Sequence, residues 1–119
     1  MAKILIVDDE VEICELMKSY LEARGYNVLV ANSCKDTTPV LKQENPEIML
    51  LDRRLPDGDG IDLLQGIRKF NPTVKVIMIS AYDMSEKDMQ RIQSLGVLKF
   101  LRKPITIGNL NAVLESVSS

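Results

Sequence analysis

The sequence predicts an α/β fold in which a mostly parallel sheet is doubly wound, with helices on both faces. Apolar runs of strand length alternate five times with segments of helical period. The first run, "KILIVDD", is apolar at nearly every position before its acids, as in a parallel strand buried on both faces. A single acid ends the third run, and a parallel sheet gathers its strand C-termini along one edge, where ligands bind.

The first strand leads into a core-facing helix in which Ile13, Leu16, Met17, Tyr20 and Leu21 recur at helical spacing until Gly25, a C′ stop. "YNVLVA" is the second strand. The second helix lies in "SCKDTTPVLKQEN", where Pro39 lacks the N–H that an interior position needs. We expect a late start, with Thr38 as cap and Pro39 in the first turn, in preference to an earlier helix kinked at the proline. "EIMLL" is the third strand, and "GIDLLQGIRKF" sets Ile61, Leu64, Ile67 and Phe70 on one helical face closed by Asn71-Pro72. "VKVIMIS" is the fourth strand. In "SEKDMQRIQSLG", Ser85 and Asp88 have capping-box spacing, Met89, Ile92 and Leu95 form the stripe, and Gly96 ends it. "LKFL" makes a short fifth strand. Lys103-Pro104 follows, and the last helix, from near Thr106, has Leu110, Val113, Leu114 and Val117 apolar.

A length of 119 residues with 45% hydrophobic content suffices for one core, so a single soluble domain over residues 1–119 is expected. The net charge of −2, with acids and bases interspersed, offers nucleic acid or an anionic membrane no general attraction, and neither is expected as a partner. No apolar run approaches the roughly 18 residues of a membrane span, and Met1 to Lys3 leads straight into a strand without room for a signal peptide. The expected location is cytoplasmic. Cys14 and Cys34, in no CxxC or zinc spacing, read as small buried or half-buried fillers. There is no histidine, which excludes Ser-His-Asp and Cys-His nucleophiles, an HExxH zinc site and phosphorylation on a histidine of this chain.

Asp8 and Asp9 end the first strand and Asp52 ends the third. In the strand order 2-1-3-4-5 these strands are neighbours, the winding reverses between them, and the three carboxylates converge. Clustered acids raise one another's pKa unless a cation or protons neutralise them. An all-oxygen site with open positions suits Mg²⁺, with Mn²⁺ as the alternative. Ser80, ending the fourth strand, adds a hydroxyl, and Lys103, after the fifth, adds an ammonium held inward by the turn at Pro104.

"ILIVDDE", "LLDRRLPDGDG", "VIMISAYD" and "GVLKFLRKP", in this order and at these intervals, resemble the receiver domain of bacterial two-component response regulators over essentially the whole chain. The resemblance implies a flavodoxin-like (βα)5 three-layer sandwich with a parallel five-stranded sheet of order 2-1-3-4-5. By similarity, Asp52 accepts a phosphoryl group from a phosphohistidine on a sensor histidine kinase or phosphotransfer protein. Asp9, Asp52 and the backbone carbonyl of Arg54 bind Mg²⁺, Asp8 acts through a metal-bound water, and Lys103 and Ser80 contact phosphoryl oxygens. Phosphorylation adds charge and acceptor oxygens to Asp52. Ser80 and Phe100 match the family's switch positions, although Phe100 lacks the hydroxyl of the tyrosine often found there.

Arg54 and Tyr82 match rim positions that tune hydrolysis of the phosphorylated aspartate, while Ala81 leaves room for the phosphoryl group. Pro56, Gly58 and Gly60 shape the turn after the acceptor, the glycines by allowing positive φ and close approach. The chain reads as a phosphoacceptor switch with self-catalysed phosphorylation and dephosphorylation, and not as a turnover enzyme. Its output would use the face of the fourth helix, fifth strand and fifth helix, with Met89, Gln93, Lys99 and the Arg102 neighbourhood changing exposure. A phosphorylation-dependent dimer would use the same face.

Competing readings fit less well. An aspartyl-phosphate phosphatase wants a D-x-D after its first strand, whereas these acids are adjacent. A flavodoxin-like cofactor carrier wants a phosphate-cradling Gly-rich loop. "DGDG" fails as a calcium loop, because Asp62 and Arg68 stand where glycine and glutamate are needed. A receiver that binds partners without phosphorylation ranks below the active switch, since all five chemical positions are present.

Overall fold

The computed structural model describes residues 2–118; Met1 and Ser119, the ends of the expected 1–119 span, lie outside the described residues. The elements run β1 (Lys3–Val7), α1 (Val11–Ala23), β2 (Asn27–Ala31), α2 (Cys34–Glu44), β3 (Ile48–Asp52), β4 (Arg54–Leu55), β5 (Gly58–Asp59), α3 (Gly60–Ile67), β6 (Lys75–Ser80), α4 (Glu86–Ser94), β7 (Val97–Arg102) and α5 (Ile107–Ser118). The main sheet is parallel in the order β2-β1-β3-β6-β7. Since β6 and β7 are its fourth and fifth strands, this is the expected 2-1-3-4-5 order. The two-residue strands β4 and β5 form a small antiparallel hairpin beyond β3 that periodicity did not signal.

Alternation along the strands builds two cores, because successive side chains of a strand point to opposite faces. Leu5, Val7, Met49 and Leu51 pack with Leu41, Ile61, Leu64, Ile67 and Ile92, so α2, α3 and α4 cover one face. Ile4, Ile6, Leu50, Ile77 and Ile79 pack with Cys14, Met17, Leu21, Leu110, Leu114 and Val117, so α1 and α5 cover the other. The three layers bury β3 completely, including Asp52 at its end.

Helix ends follow local chemistry at several points. Ser85 Oγ accepts from Asp88 N–H at 3.1 Å, and Thr106 Oγ1 accepts from Asn109 N–H at 3.1 Å. Gly25 and Gly96 follow α1 and α4 with φ of 95° and 77°, the left-handed conformation glycine tolerates.

Three expectations need correction. The second helix does not start late: it begins at Cys34 with Pro39 in its interior. Ser33 Oγ caps it, accepting from Asp36 N–H at 3.1 Å. Its first N–H groups gain a second cap from far along the chain, since Asp57 Oδ1 accepts from Cys34 N–H at 2.8 Å and Oδ2 from Lys35 N–H at 3.0 Å. These caps, with Thr37 buried and donating to Ser33 O at 2.8 Å, offset the backbone bond that Pro39 cannot make. In α1 the buried arc is Cys14, Met17 and Leu21, while Ile13 and Leu16 are 42% and 68% exposed. Phe70 is 41% exposed, because α3 ends at Ile67 and the following turn carries the ring to the surface, where Lys42 Nζ lies 4.9 Å from its centroid.

Candidate functional site

Five loops meet at the carboxyl edge of the sheet. Asp8 follows β1 and is 1% exposed, Asp52 ends β3 at 4%, and Ser80 ends β6 at 1%. Asp9 and Glu10, next in the chain, are exposed. The acids Asp8, Asp9, Glu10 and Asp52 each bring an oxygen within 4.8 Å of the others. Lys103 reaches in from beyond β7, its Nζ 2.9 Å from Asp52 Oδ2, 3.0 Å from Asp8 Oδ2 and 2.6 Å from Glu10 Oε1. The Lys103–Pro104 peptide is cis, and Lys103 N–H donates to Ser80 O at 2.8 Å.

One ammonium does not balance four acids. Burial holds Asp8 above the usual carboxylate range; the Glu10 N–H and Lys103 oppose this, and the Asp52 charge reinforces it. For Lys103, burial pulls downward, but hydrogen bonds to Asp52 and Glu10 and the adjacent Asp8 carboxylate outweigh it and keep the ammonium firmly protonated. Asp8 Oδ1 accepts from Glu10 N–H at 2.9 Å, whereas Oδ2, despite its ion contact, is a buried oxygen with no aligned hydrogen-bond donor. An orphaned carboxylate oxygen beside three further acids is a donor set that fits a hard divalent cation.

The acceptor loop is tightly made. Asp52 Oδ1 accepts from Arg54 N–H at 3.2 Å, Arg53 N–H donates to Ile79 O at 2.8 Å, and Gly60 N–H donates to Arg53 O at 2.6 Å. A Cβ on Gly60 would collide with the Asp52 carbonyl oxygen and stand 3.0 Å from Arg53 Cα. Close approach is therefore the reason for glycine here. The expected positive φ at Gly58 and Gly60 is not found, since Gly25 and Gly96 are the positive-φ glycines among the described residues. Exposed Pro56 begins the turn of the β4–β5 hairpin.

At the rim, Arg54 and Tyr82 are exposed, and the Arg54 guanidinium lies 5.9 Å from the Tyr82 ring centroid. Ala81 is exposed beside the site. The Ser80 hydroxyl accepts from Tyr82 N–H at 3.1 Å. Phe100 is half-buried on β7, paired in register with Met78 and packed on the same core cluster as Met84 and Met89.

Asp8, Asp9, Asp52 and Lys103 thus lie together, Ser80 ends the next strand with its main-chain oxygen bonded to Lys103 N–H, and Phe100 lies away on the α4-facing core. Sequence reasoning passed over Glu10, although a third consecutive acid at a strand end was a signal. It also passed over a cleft of about 390 Å³ lined by Asp8, Glu10, Ile13, Met17, Ala81, Lys103, Pro104 and Ile105. Cys14 Sγ, beneath this cleft, donates to Asp8 O at 3.4 Å; burial and then the Asp8 charge push the thiol up to about 12, so it stays a neutral filler.

Comparison with known proteins gives one answer. The family model described as the response regulator receiver domain matches residues 4–115. The chain is 34% identical over 112 residues to the transcriptional regulatory protein ZraR of Escherichia coli K12, covering 94% of this chain and 25% of that protein. It is 33% identical over 114 residues to sporulation initiation phosphotransferase F of Bacillus subtilis, covering 95% and 90%. The chain thus spans about a quarter of the length of ZraR and nearly all of the phosphotransferase. Among solved structures, a CheY-like receiver domain protein from Methanospirillum hungatei superposes with a TM-score of 0.91 at 29% identity, covering 98% of this chain and 93% of that one. The non-phosphorylated HemR receiver domain from Leptospira biflexa gives 0.90 at 28% identity, covering 100% and 95%.

Proposed function

The chain belongs to the response regulator receiver family, the phosphoryl-accepting switches of two-component signalling, and from that premise we propose that Asp52 is its phosphoacceptor. The observation that carries this reading is the bonding of Lys103 to a buried aspartate that shares its pocket with three more acids. Asp52 Oδ attacks the phosphorus of a partner's phosphohistidine; the P–O bond forms as the P–N bond breaks, and the imidazole leaves. In such transfers catalysis is positioning and charge neutralisation on the equatorial oxygens. Lys103 follows the charge from the carboxylate to a phosphoryl oxygen, and Ser80 donates its hydroxyl to another. Asp9, Asp52 and the Arg54 carbonyl would hold Mg²⁺, with Asp8 acting through a bound water; the ion supplies positive charge against the incoming phosphoryl oxygens. Mn²⁺ would serve in its place.

The donor is a histidine kinase or phosphotransfer protein, and the apolar side of the cleft fits its docking. Ile13, Met17 and Ile105 line a surface continuous with Lys103 and Asp8, and exposed Leu16 extends it along α1. The output side is the α4-β7-α5 face, where Leu98 and Ile107 are 49% and 55% exposed, and a phosphorylation-dependent dimer would form there. The switch hydroxyl is Ser80 and the switch aromatic Phe100, with phosphorylation and dephosphorylation self-catalysed. No helix among the described residues is long and apolar enough to cross a membrane, and the reading has the chain act in the cytoplasm without contacting nucleic acid. Intact mass after incubation with acetyl phosphate, with and without Mg²⁺, tests the core of this reading. We expect a gain of one phosphoryl group that needs both the metal and Asp52 and is lost in Asp52→Asn. A gain that persists in Asp52→Asn would overturn the assignment.

A further inference from the structure

Arg53 follows the acceptor directly, yet its side chain has no part in the pocket. Its guanidinium spans the N-terminal ends of two helices: Nη2 lies 2.7 Å from Asp88 Oδ2 in the first turn of α4, and Nε donates to Asp59 Oδ2, the cap of α3, at 3.3 Å. The three side chains are 15%, 20% and 30% exposed, so the pair with Asp88 is screened less than a surface bridge. Burial pulls the guanidinium's affinity for protons down, and Asp88 and Asp59 more than restore it.

The residue it ties is thinly held. Within α4 only Ile92 is buried, and Met89 is half-buried. The far end of α4 is anchored separately, by Arg68 Nε donating to Leu95 O at 2.7 Å and by an exposed Arg91–Asp62 pair at 2.9 Å. The first turn of α4 is closed by the Ser85 cap and is held to the rest of the fold by Met84 and Met89 on the core and by the Arg53–Asp88 tie. The segment that enters this turn begins at Ser80, whose hydroxyl is held by Tyr82 N–H. When that hydroxyl turns toward a group on Asp52, it carries Tyr82 along or releases it. Either change would loosen or move residues 81–84, which lead into the turn that Arg53 holds.

We propose that Arg53 is a positioning residue that brakes the switch, its ion pair to Asp88 holding the first turn of α4 against the acceptor loop until phosphorylation. The main chain of residue 53 is pinned by Ile79 O and Gly60 N–H, so the tie has a rigid base one residue from the acceptor. An interaction present in one state of a two-state element and absent from the other shifts the equilibrium, and acceptor and helix feel the shift reciprocally. This rests on Asp52 being the acceptor.

The test is a double-mutant cycle of Arg53→Gln and Asp88→Asn with two readouts. Hydrogen exchange of the α4 amides is measured in unphosphorylated protein, and the rate of phosphoryl uptake from acetyl phosphate is measured with Mg²⁺. We expect each single variant to speed exchange in the first turn of α4 by about fivefold or more and uptake by several-fold, with the double variant no further changed than either single one. Unchanged α4 exchange in both single variants would overturn the tie. Faster exchange with unchanged or slower uptake, or effects that add in the double variant, would overturn the brake. Wild-type protein that takes up no phosphoryl group would instead sink the acceptor reading, and the brake with it, whatever the exchange data show.

Discussion

At opposite ends of the sheet two cations from loops each face three oxygens. At the carboxyl edge Lys103 meets carboxylates of Asp8, Glu10 and Asp52. At the amino edge Arg68 donates to the carbonyls of Leu95, Asn71 and Val74 at 2.7, 3.3 and 2.8 Å, tying the end of α4 to the loop before β6. The geometry is similar and the chemistry is not. Carbonyls are neutral, so Arg68 completes their hydrogen bonding and leaves no excess acid; burial alone lowers its pKa. Carboxylates outnumber Lys103, and the charge left over makes that edge one that could hold a cation. Polar clusters of equal size are told apart by whether their charges cancel.

Removing each cation should separate the two ends most sharply. Lys103→Met should slow phosphoryl uptake from acetyl phosphate by about 10²-fold or more, the usual loss when one stabilising donor is removed. Arg68→Met should leave uptake within about twofold but destabilise the fold by about 2–4 kcal/mol, through carbonyls stripped of their donor. In urea unfolding, Mg²⁺ should recover stability for Lys103→Met, whose acids lack a counter-ion, and not preferentially for Arg68→Met. Equal functional loss in both variants would erase the distinction.

The carboxyl edge has an apolar flank, and a smaller effect should come from it. Leu16→Asp should slow transfer from a phosphohistidine donor by about tenfold while sparing uptake from acetyl phosphate, since truncating an interface anchor costs about 1–2 kcal/mol or more. Stopped-flow transfer from each donor distinguishes the two. At the rim, the Arg54→Ala, Tyr82→Ala double variant should lose its phosphoryl group about threefold to tenfold faster, because the stacked pair no longer hinders attacking water. Decay of the phosphorylated mass after donor removal measures it, and equal decay would rule the rim out.

The smallest effect should be in stability against pH. Asp8 has a raised pKa in the folded state, so its ionisation opposes folding: its favourable contribution is complete below the unfolded value of 3.8 and is lost as pH rises through the folded value. Asp8→Asn should therefore stabilise the metal-free protein near neutrality, and the gain should vanish as pH falls to the ordinary carboxylate range. Thermal unfolding in a chelator at several pH values tests the trend. A gain that grew on acidification would contradict it.

Much of this was legible in the chain. The strand runs, the stop at Gly96, the Ser85 cap and the acids at strand ends are set by residues within a few positions of one another, where backbone geometry dictates periodicity and capping. Adjacent acids after one strand and a lone acid after another suffice for a site once parallel strands share an edge. The exposure of Ile13 and Leu16 was not legible, because apolar residues at helical spacing look alike whether they face a core or a partner. Nor was the Arg53 tie, since a guanidinium between two helices depends on how those helices dock.

The sequence by itself determined the five strand–helix units, the parallel sheet and the residues that meet at its carboxyl edge. Only the tertiary structure decided where α2 begins. Read locally, Pro39 argues for a start at Thr38, because a helix through a proline loses a hydrogen bond. In the folded chain the Asp57 carboxylate, more than twenty residues downstream, binds the N–H groups of Cys34 and Lys35 and adds to the local Ser33 cap, so that together they favour the earlier start. A cap delivered across that distance exists only after the sheet has brought the two loops together, and no window along the chain contains it.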